Sequence, residues 1–389
     1  MRPLFPDNAG PRYDMPLADK IGQMIIVGFG SPRVSAQSRI IQHIRERNLG
    51  GVALFSTNIE SYEQVDTLIQ QLQSAAATPL LIAIDQEGGY VRRLGRQFGL
   101  TLDYTPQQLG AIDDLALTQR YAEENARVLV ELGINLNFAP VVDLNTNPYN
   151  PIIGGLGRSF SSDPDVVIRH ALTFIKAHHQ TGVLCTLKHF PGHGSSAQDS
   201  HIGFVDVTDS WRAAELEPYA RLIAANRCDA VMTAHIYNAA LDAELPATLS
   251  ETILTGILRQ RMNYDGIIMT DDIQMAAISS YYDFETAVEL AVNAGVDVFA
   301  SSTYSPAVVE RTIATVQMLV ESGKIGEERI DDSYRRVMAL KERAGRPDAS
   351  PRQVHTPPVH EPNTRSADNP VRNAPDTNRA PDELADYLF

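Results

Sequence analysis

"GVALFSTNIESYEQVDTLIQQLQSAAATPLLIAID", residues 51–85, holds two short apolar runs, 51–56 and 80–85, on either side of an amphipathic stretch, 61–76. A short apolar run bounded by polar turns reads as a buried strand, and helical periodicity between two such runs reads as the crossover of a parallel βαβ unit. The alternation recurs along the chain. Its apolar runs are "QMIIVGFG" (23–30), "GVALFS" (51–56), "LLIAID" (80–85), "INLNFAP" (134–140), "VLCTLKHF" (183–190), "VMTAHI" (231–236), "GIIMTDD" (266–272) and "VDVFAS" (296–301). Further amphipathic stretches cover 117–133, 163–179 and 283–295. Near-continuous apolar strands imply a parallel sheet covered by helices. Eight such units closing on themselves predict an α/β fold of the (β/α)8, TIM-type barrel class over residues 15–345. An open doubly wound sheet is the alternative. The unit count and the lack of a GxGxxG fingerprint after an early strand favour the barrel.

The 389 residues carry 33 Lys and Arg against 48 Asp and Glu, a formal net charge of −15. That acidity opposes the basic field that nucleic acid or an anionic membrane surface requires, so neither is expected as a partner. With 43% hydrophobic and 21% charged residues, the chain can bury a large core, which excludes disorder throughout. Cys185 and Cys228 sit in apolar segments without CxxC spacing, and are expected to be buried free thiols. The first twenty residues contain no apolar stretch of signal-peptide length, and no later run approaches a membrane span. A cytoplasmic protein is expected as written, or a periplasmic or secreted one if a leader has been removed. Residues 1–14 read as an N-terminal extension. Residues 346–389 hold eight of the 23 prolines, with no periodicity, and are expected to form a disordered Pro-rich tail, its closing "DELADYLF" a frayed end or a short amphipathic turn.

Active sites of parallel barrels lie where the strands end, so the polar residues closing each apolar run are the candidates. Asp85 ends run 3, Asp143 follows run 4, Lys188 and His189 end run 5, His235 ends run 6, and Asp271 with Asp272 ends run 7. Singly, each could be a helix cap or a satisfied core group; converging on one mouth, they describe a ligand site. Because neighbouring side chains of a strand point to opposite faces, Asp271 and Asp272 are not both expected in one pocket, and alternation alone does not choose between them. The loop "PGHGSSAQDSH" (191–201) follows run 5, and its Pro and Gly residues allow it to leave the rim and fold back over the mouth. Asp199 precedes His201 by two residues, near enough to hydrogen-bond one imidazole nitrogen and set the tautomer of the other. The same loop admits a zinc reading through His189, His193, Asp199 and His201, but the spacing matches no HExxH-type motif.

"AIDQEGGYVRRL" (83–94), "NFAPVVDLN" (137–145), "NPIIGGLGRSFSSDP" (150–164), "LKHFPGHGSSAQDSH" (187–201) and "IIMTDDIQM" (267–275) together resemble family 3 glycoside hydrolases, specifically the β-N-acetylglucosaminidases of the NagZ type. The resemblance runs in order across nearly the whole predicted barrel, and KHFPGHG followed by DSH is its most specific part. It implies that Asp271 is the nucleophile of a retaining reaction, His201 the general acid/base and Asp199 its partner. It also implies that Asp85, Arg158, Lys188 and His189 hold the hydroxyls of an N-acetylglucosamine ring, with Arg93 matching the second Arg of the GGRVxR segment. Tyr90 stands where that segment has its first Arg, which puts any contact of that Arg in doubt. The second α/β domain of many family members is not expected within residues 346–389, and the resemblance is to the single-domain form.

The chemistry agrees with these residues. Retaining glycosidases ordinarily pair a nucleophilic carboxylate with a carboxylic acid of raised pKa. An imidazole, titrating near 6.5, does the second task near neutrality without that shift. Asp199 would orient the ring and stabilise its charged form, and cations such as Lys188 or Arg158 would keep Asp271 ionised. No metal or organic cofactor is required. The expected function is therefore hydrolysis of terminal GlcNAc from muropeptides or related amino-sugar glycosides, in peptidoglycan recycling. The alternatives are a β-glucosidase or β-xylosidase of the same family, a phosphorylase in which a neutral histidine admits phosphate, and a barrel that binds sugar without turnover.

Overall fold

A computed structural model describes residues 14–347. The eight apolar runs are eight strands: β1 (Ile25–Gly28), β2 (Gly51–Leu54), β3 (Leu81–Ile84), β4 (Leu136–Asn137), β5 (Leu184–Phe190), β6 (Ala230–Thr233), β7 (Ile267–Met269) and β8 (Phe299–Ser301). They pair in parallel in the order β7-β6-β5-β4-β3-β2-β1-β8. The two ends of that row meet as well. Met269 bridges Val298 in parallel, Val298 N–H donates to Ile268 O at 3.1 Å, and Thr270 N–H donates to Val298 O at 2.9 Å. The ring is therefore closed, and the open-sheet alternative falls.

Alternation along each strand divides the core in two. Ile26, Ala53, Leu81, Ala83, Leu136, Leu184, Ala230, Ile267, Met269 and Val298 pack together inside the barrel, while their neighbours, such as Ile25, Val27, Val52 and Ile82, pack against the helices outside. Val337, Leu340 and Ala344, at the end of the helix Glu327–Arg343, join the inner cluster. That helix lies where the strands begin, since Lys341 Nζ reaches Gln23 Oε1 at 2.5 Å just before β1 and Gly345 N–H reaches Gly182 O at 2.8 Å just before β5. The bottom is plugged, and the opposite end remains free for a site.

The helices form where their apolar spacing fits a barrel wall. In Tyr62–Ala75, Ser61 caps the first turn by accepting from Gln64 N–H, and Val65, Leu68, Ile69 and Leu72 present one buried stripe. Burying each of those Leu and Ile side chains contributes roughly 1.5–3 kcal/mol. Pro164–Thr181 starts on an Asp163 cap with proline in its first turn, and stops at Gly182, whose φ of 82° would strain any other residue. Cys185 and Cys228 are buried free thiols. Among the described residues no helix is long and apolar enough to cross a membrane. Apart from Asp14, Arg346 and Pro347, the expected N-terminal extension and tail, with "DELADYLF", lie outside the described residues.

Candidate active site

A cavity of about 260 Å³ opens at the strand ends, and Asp85, Arg93, Arg158, Lys188, His189, His201 and Asp271 all line it. Its inner end is apolar, closed by Ile26, Ala53, Phe138 and Met232. The size is just below the usual range of small-molecule sites, roughly 300–1,000 Å³, and suits one sugar ring better than an oligosaccharide cleft.

One wall is an ion network. Lys188 Nζ lies 2.8 Å from Asp85 Oδ1 and 2.6 Å from Glu87 Oε1. Arg158 donates to both Glu87 oxygens at 2.8 Å and to Ile152 O at 2.9 Å, and Arg93 donates to Asp85 Oδ2 at 3.2 Å. Burial pushes the Asp85 carboxyl up, but Lys188 and Arg93 outweigh it and hold it at about 2. Asp85 is thus ionised and can accept hydrogen bonds. Glu87, 3% exposed, was absent from the expected set. Its only signal is a charge placed two residues beyond Asp85 in a glycine-rich turn, "DQEGG".

Lys188 and His189 are consecutive yet both line the cavity, against the alternation of a regular strand. The pairing of β5 with β6 shifts register between Lys188 and Phe190, which leaves His189 without a counterpart and turns it inward. Asp143 then fixes it: His189 N–H donates to Asp143 Oδ1 at 3.0 Å, and the ring Nδ1 lies 2.7 Å from Asp143 Oδ2. With Nδ1–H donating, Nε2 is left to accept from Arg158 at 3.3 Å. Both ring nitrogens therefore have protein partners, and a sugar hydroxyl would share one of them.

Asp271 and Asp272 stand just past β7, and both line the cavity, against the expectation that only one would, because pleat alternation ends with the last paired residue, Met269. The oxygens of Asp272 are occupied: Oδ2 accepts from Ser302 N–H and hydroxyl at 2.8 and 2.7 Å, and Oδ1 accepts from Gln274 N–H at 3.0 Å. It ties the loop after β8 to the end of β7. Asp271 accepts from Asp272 N–H through Oδ1 at 2.8 Å, and its side chain faces the cavity. Burial pushes the Asp271 carboxyl up; His235, His189, the Asp272 N–H and Lys188 together hold it below its ordinary 3.8. Burial also lowers His235, so Lys188, shared with Asp85 and Glu87, is the permanent cation acting on Asp271 at neutral pH.

The 191–201 loop has two parts of different character. Residues 191–196 are buried. His193 N–H donates to Asp143 Oδ1 at 2.8 Å, and Asn150 Nδ2 donates to His193 O and Ser196 Oγ at 2.8 and 2.9 Å. A Cβ on Gly194 would lie 1.7 Å from Leu144 O, so glycine serves close backbone packing there, and not the loop freedom expected from its presence. Only the later residues leave the rim. In them His201 Nδ1 lies 2.6 Å from Asp199 Oδ1, and the His201 side chain is 58% exposed. Its Nδ1–H donates to the carboxylate, which leaves Nε2 without a hydrogen-bond partner among the described residues, in a side chain that lines the cavity. The His193 ring is engaged by the hydroxyls of Ser196 and Ser200 at 2.8 and 3.3 Å. Among the described residues no three His, Cys, Asp or Glu side chains group as a metal-binding set. The arrangement can set a carboxylate nucleophile and an imidazole proton carrier on one bound ring.

Beneath the packed part of the loop lies Glu215, fully buried next to Ser195 and with Asp143 nearby. Burial pushes its carboxyl up to about 8. The group is protonated in the fold and ionises near 4.5 when unfolded, so its effect on stability is most favourable below 4.5 and is lost as pH rises toward about 8. Glu215→Gln should therefore gain stability over the parent at pH 8 by a few kcal/mol at most, and gain little at pH 4.5. Denaturant melts at the two pH values check this; a gain equal at both would contradict it.

Three comparisons bear on this geometry. Residues 16–340 match the family model described as "Glycosyl hydrolase family 3 N terminal domain". The chain is 36% identical over 339 residues to "Beta-hexosaminidase A" of Pseudoalteromonas piscicida, covering 79% of this chain and 55% of that protein, so it spans about half of that relative's length. It is 36% identical to "Beta-hexosaminidase" of Stenotrophomonas maltophilia (strain K279a) over 76% of this chain and 87% of the relative. Among solved structures, a glycoside hydrolase family 3 β-N-acetylglucosaminidase from Paenibacillus sp. str. FPU-7 superposes with a TM-score of 0.80 at 35% identity, over 96% of this chain and 68% of that one. With a closed parallel barrel, its polar mouth and a family model that spans nearly all of the described residues, the chain belongs to glycoside hydrolase family 3.

Proposed function

We propose that this protein is a retaining, exo-acting β-N-acetylglucosaminidase that removes terminal GlcNAc from muropeptides or related amino-sugar glycosides, with residues 15–345 as the catalytic unit. The observation that carries the reading is that Asp271 and the Asp199–His201 pair serve one sugar-sized cavity, with one Asp271 oxygen and His201 Nε2 both uncommitted. The relatives' names supply the N-acetylhexosamine preference, and the closed inner end of the cavity supports exo action.

In this reading Asp85, Lys188, Arg93, Arg158 and His189 bind the ring hydroxyls. An Asp271 oxygen attacks the anomeric carbon as the bond to the leaving oxygen breaks, and His201 Nε2–H gives that oxygen its proton. Asp199 holds the ring so that Nε2 is the working nitrogen. The glycosyl ester is then opened by water, whose proton returns to His201, and Asp271 is released with configuration retained. Lys188 keeps Asp271 ionised before attack.

A panel of aryl β-glycosides tests the substrate class, with aryl β-GlcNAc expected to turn over well above aryl β-glucoside and β-xyloside; preference for either of those would overturn it. Product analysis with and without phosphate decides between hydrolysis and phosphorolysis. His201→Ala should lower kcat/KM for aryl β-GlcNAc substrates with poor leaving groups by about 10²–10⁴-fold and spare kcat/KM for those with good ones, whose kcat falls instead because the second step loses its base. An equal loss on both would remove His201 from proton transfer.

A further inference from the structure

Residues 197–204 carry Asp199 and His201 out from the packed rim, and contacts beyond the loop hold that excursion down. Near its start Ser200 O accepts from Ala277 N–H at 3.3 Å, and just beyond its end Val205 O accepts from Tyr237 N–H at 2.8 Å. In between, the N–H groups of His201 and Ile202 turn back to Asp199 within the loop. The outward contact at this point is a side chain. The Phe204 ring lies 5.4 Å from that of Tyr237 and 5.5 Å from that of Tyr281, within the range of favourable aromatic pairs. Tyr237 follows β6, and Tyr281 follows the short helix Ala276–Ser279, on the segment that continues from Asp271. One ring thus joins the loop bearing His201 to the segment bearing Asp271. Phe204 is 39% exposed and Tyr281 61%, so the cluster sits at the surface where release is possible.

We propose that Phe204, seated between Tyr237 and Tyr281, is a latch that holds the 197–204 loop closed with His201 facing the cavity. The proposal rests on the reading of His201 as the proton carrier given above. Phe204 is a positioning residue in it: the ring touches no substrate and acts by setting the fraction of molecules whose loop is closed. Losing two aromatic contacts shifts such a balance roughly ten- to hundredfold toward the open form. Only steps that need the proton should feel the shift.

The test compares the full-length parent with Phe204→Ala, Phe204→Tyr and His201→Ala on phenyl and 2,4-dinitrophenyl β-GlcNAc. For Phe204→Ala, kcat/KM should fall severalfold, at most roughly ten- to hundredfold, on the phenyl substrate, since the rate follows the closed fraction, and stay near the parent value on the dinitrophenyl one, whose leaving group departs without a proton. Phe204→Tyr keeps the ring and should restore the phenyl rate. Hydrogen exchange at residues 200–205 should quicken in Phe204→Ala while the barrel strands stay protected. If His201→Ala depends on the leaving group and Phe204→Ala does not, the latch is wrong and the reading of His201 stands. If His201→Ala shows no such dependence, both fall. Tyr281→Ala, which removes one contact from an exposed position, should show the same pattern at smaller size and serves if Phe204→Ala does not fold; equal losses on both substrates would overturn the latch.

Discussion

Asp271→Ala lowers turnover of an aryl β-GlcNAc substrate by about 10⁴-fold or more, while its unfolding free energy stays within about 1 kcal/mol of the parent. The rate loss is large because no other carboxylate oxygen at the cavity is free to form the glycosyl ester: Asp272 is tied to Ser302 and Gln274, and Asp85 and Glu87 are paired with Lys188, Arg93 and Arg158. The stability change is small because Asp271 accepts a single local bond from Asp272 N–H. Azide should restore part of the rate and yield an α-glycosyl azide, since the small anion enters the space left by the carboxylate and attacks from the same face. Activity near the parent level would refute the assignment of Asp271.

Glu87→Ala is the second large effect, and it falls on stability. Glu87 is buried against Arg158 and Lys188, both of which keep other contacts and stay in place when it is removed. Breaking a buried ion pair from one side leaves uncompensated charge at a cost of about 3–5 kcal/mol. A fall in Tm on the order of 4–7 °C is expected for a barrel of this length. Glu87→Gln, which keeps the hydrogen-bond acceptor and loses the charge, should lie between. A change below about 1 kcal/mol for Glu87→Ala would mean that solvent reaches the two cations and that the wall is wetter than its burial indicates. Because Lys188 also faces Asp271, a rise in KM and a fall in kcat should accompany the stability loss.

The strands were legible because the solvent rule is local. A parallel strand covered on both sides must be apolar throughout, and a wall helix must be apolar on one stripe, so "GVALFS" and "SYEQVDTLIQQLQSAA" declare themselves without knowledge of their neighbours. Asp271 and Asp272 were not separable on that basis. The reason is that both lie past the last paired residue of β7, where pleat alternation no longer applies, and the decision belongs to Ser302 and Gln274 from other segments. The early part of the 191–201 loop misled for a similar cause: Gly and Pro permit freedom, but Asp143, Leu144 and Asn150 use the same small residues for close packing.

Glu87 shows the limit most plainly. Its partners are 71 and 101 positions away along the chain, and a single acidic residue in a turn carries no mark of a buried role. The sequence alone determined what periodicity and composition can carry: eight βα units, an acidic chain unsuited to polyanions, and a set of ionisable residues at strand ends whose motifs resemble one family. Tertiary structure alone decided which of those residues keep a free atom at the cavity. That choice depends on hydrogen-bond partners brought from distant segments by closure of the barrel, and a donor or acceptor satisfied across space looks the same in the sequence as one left open for a substrate.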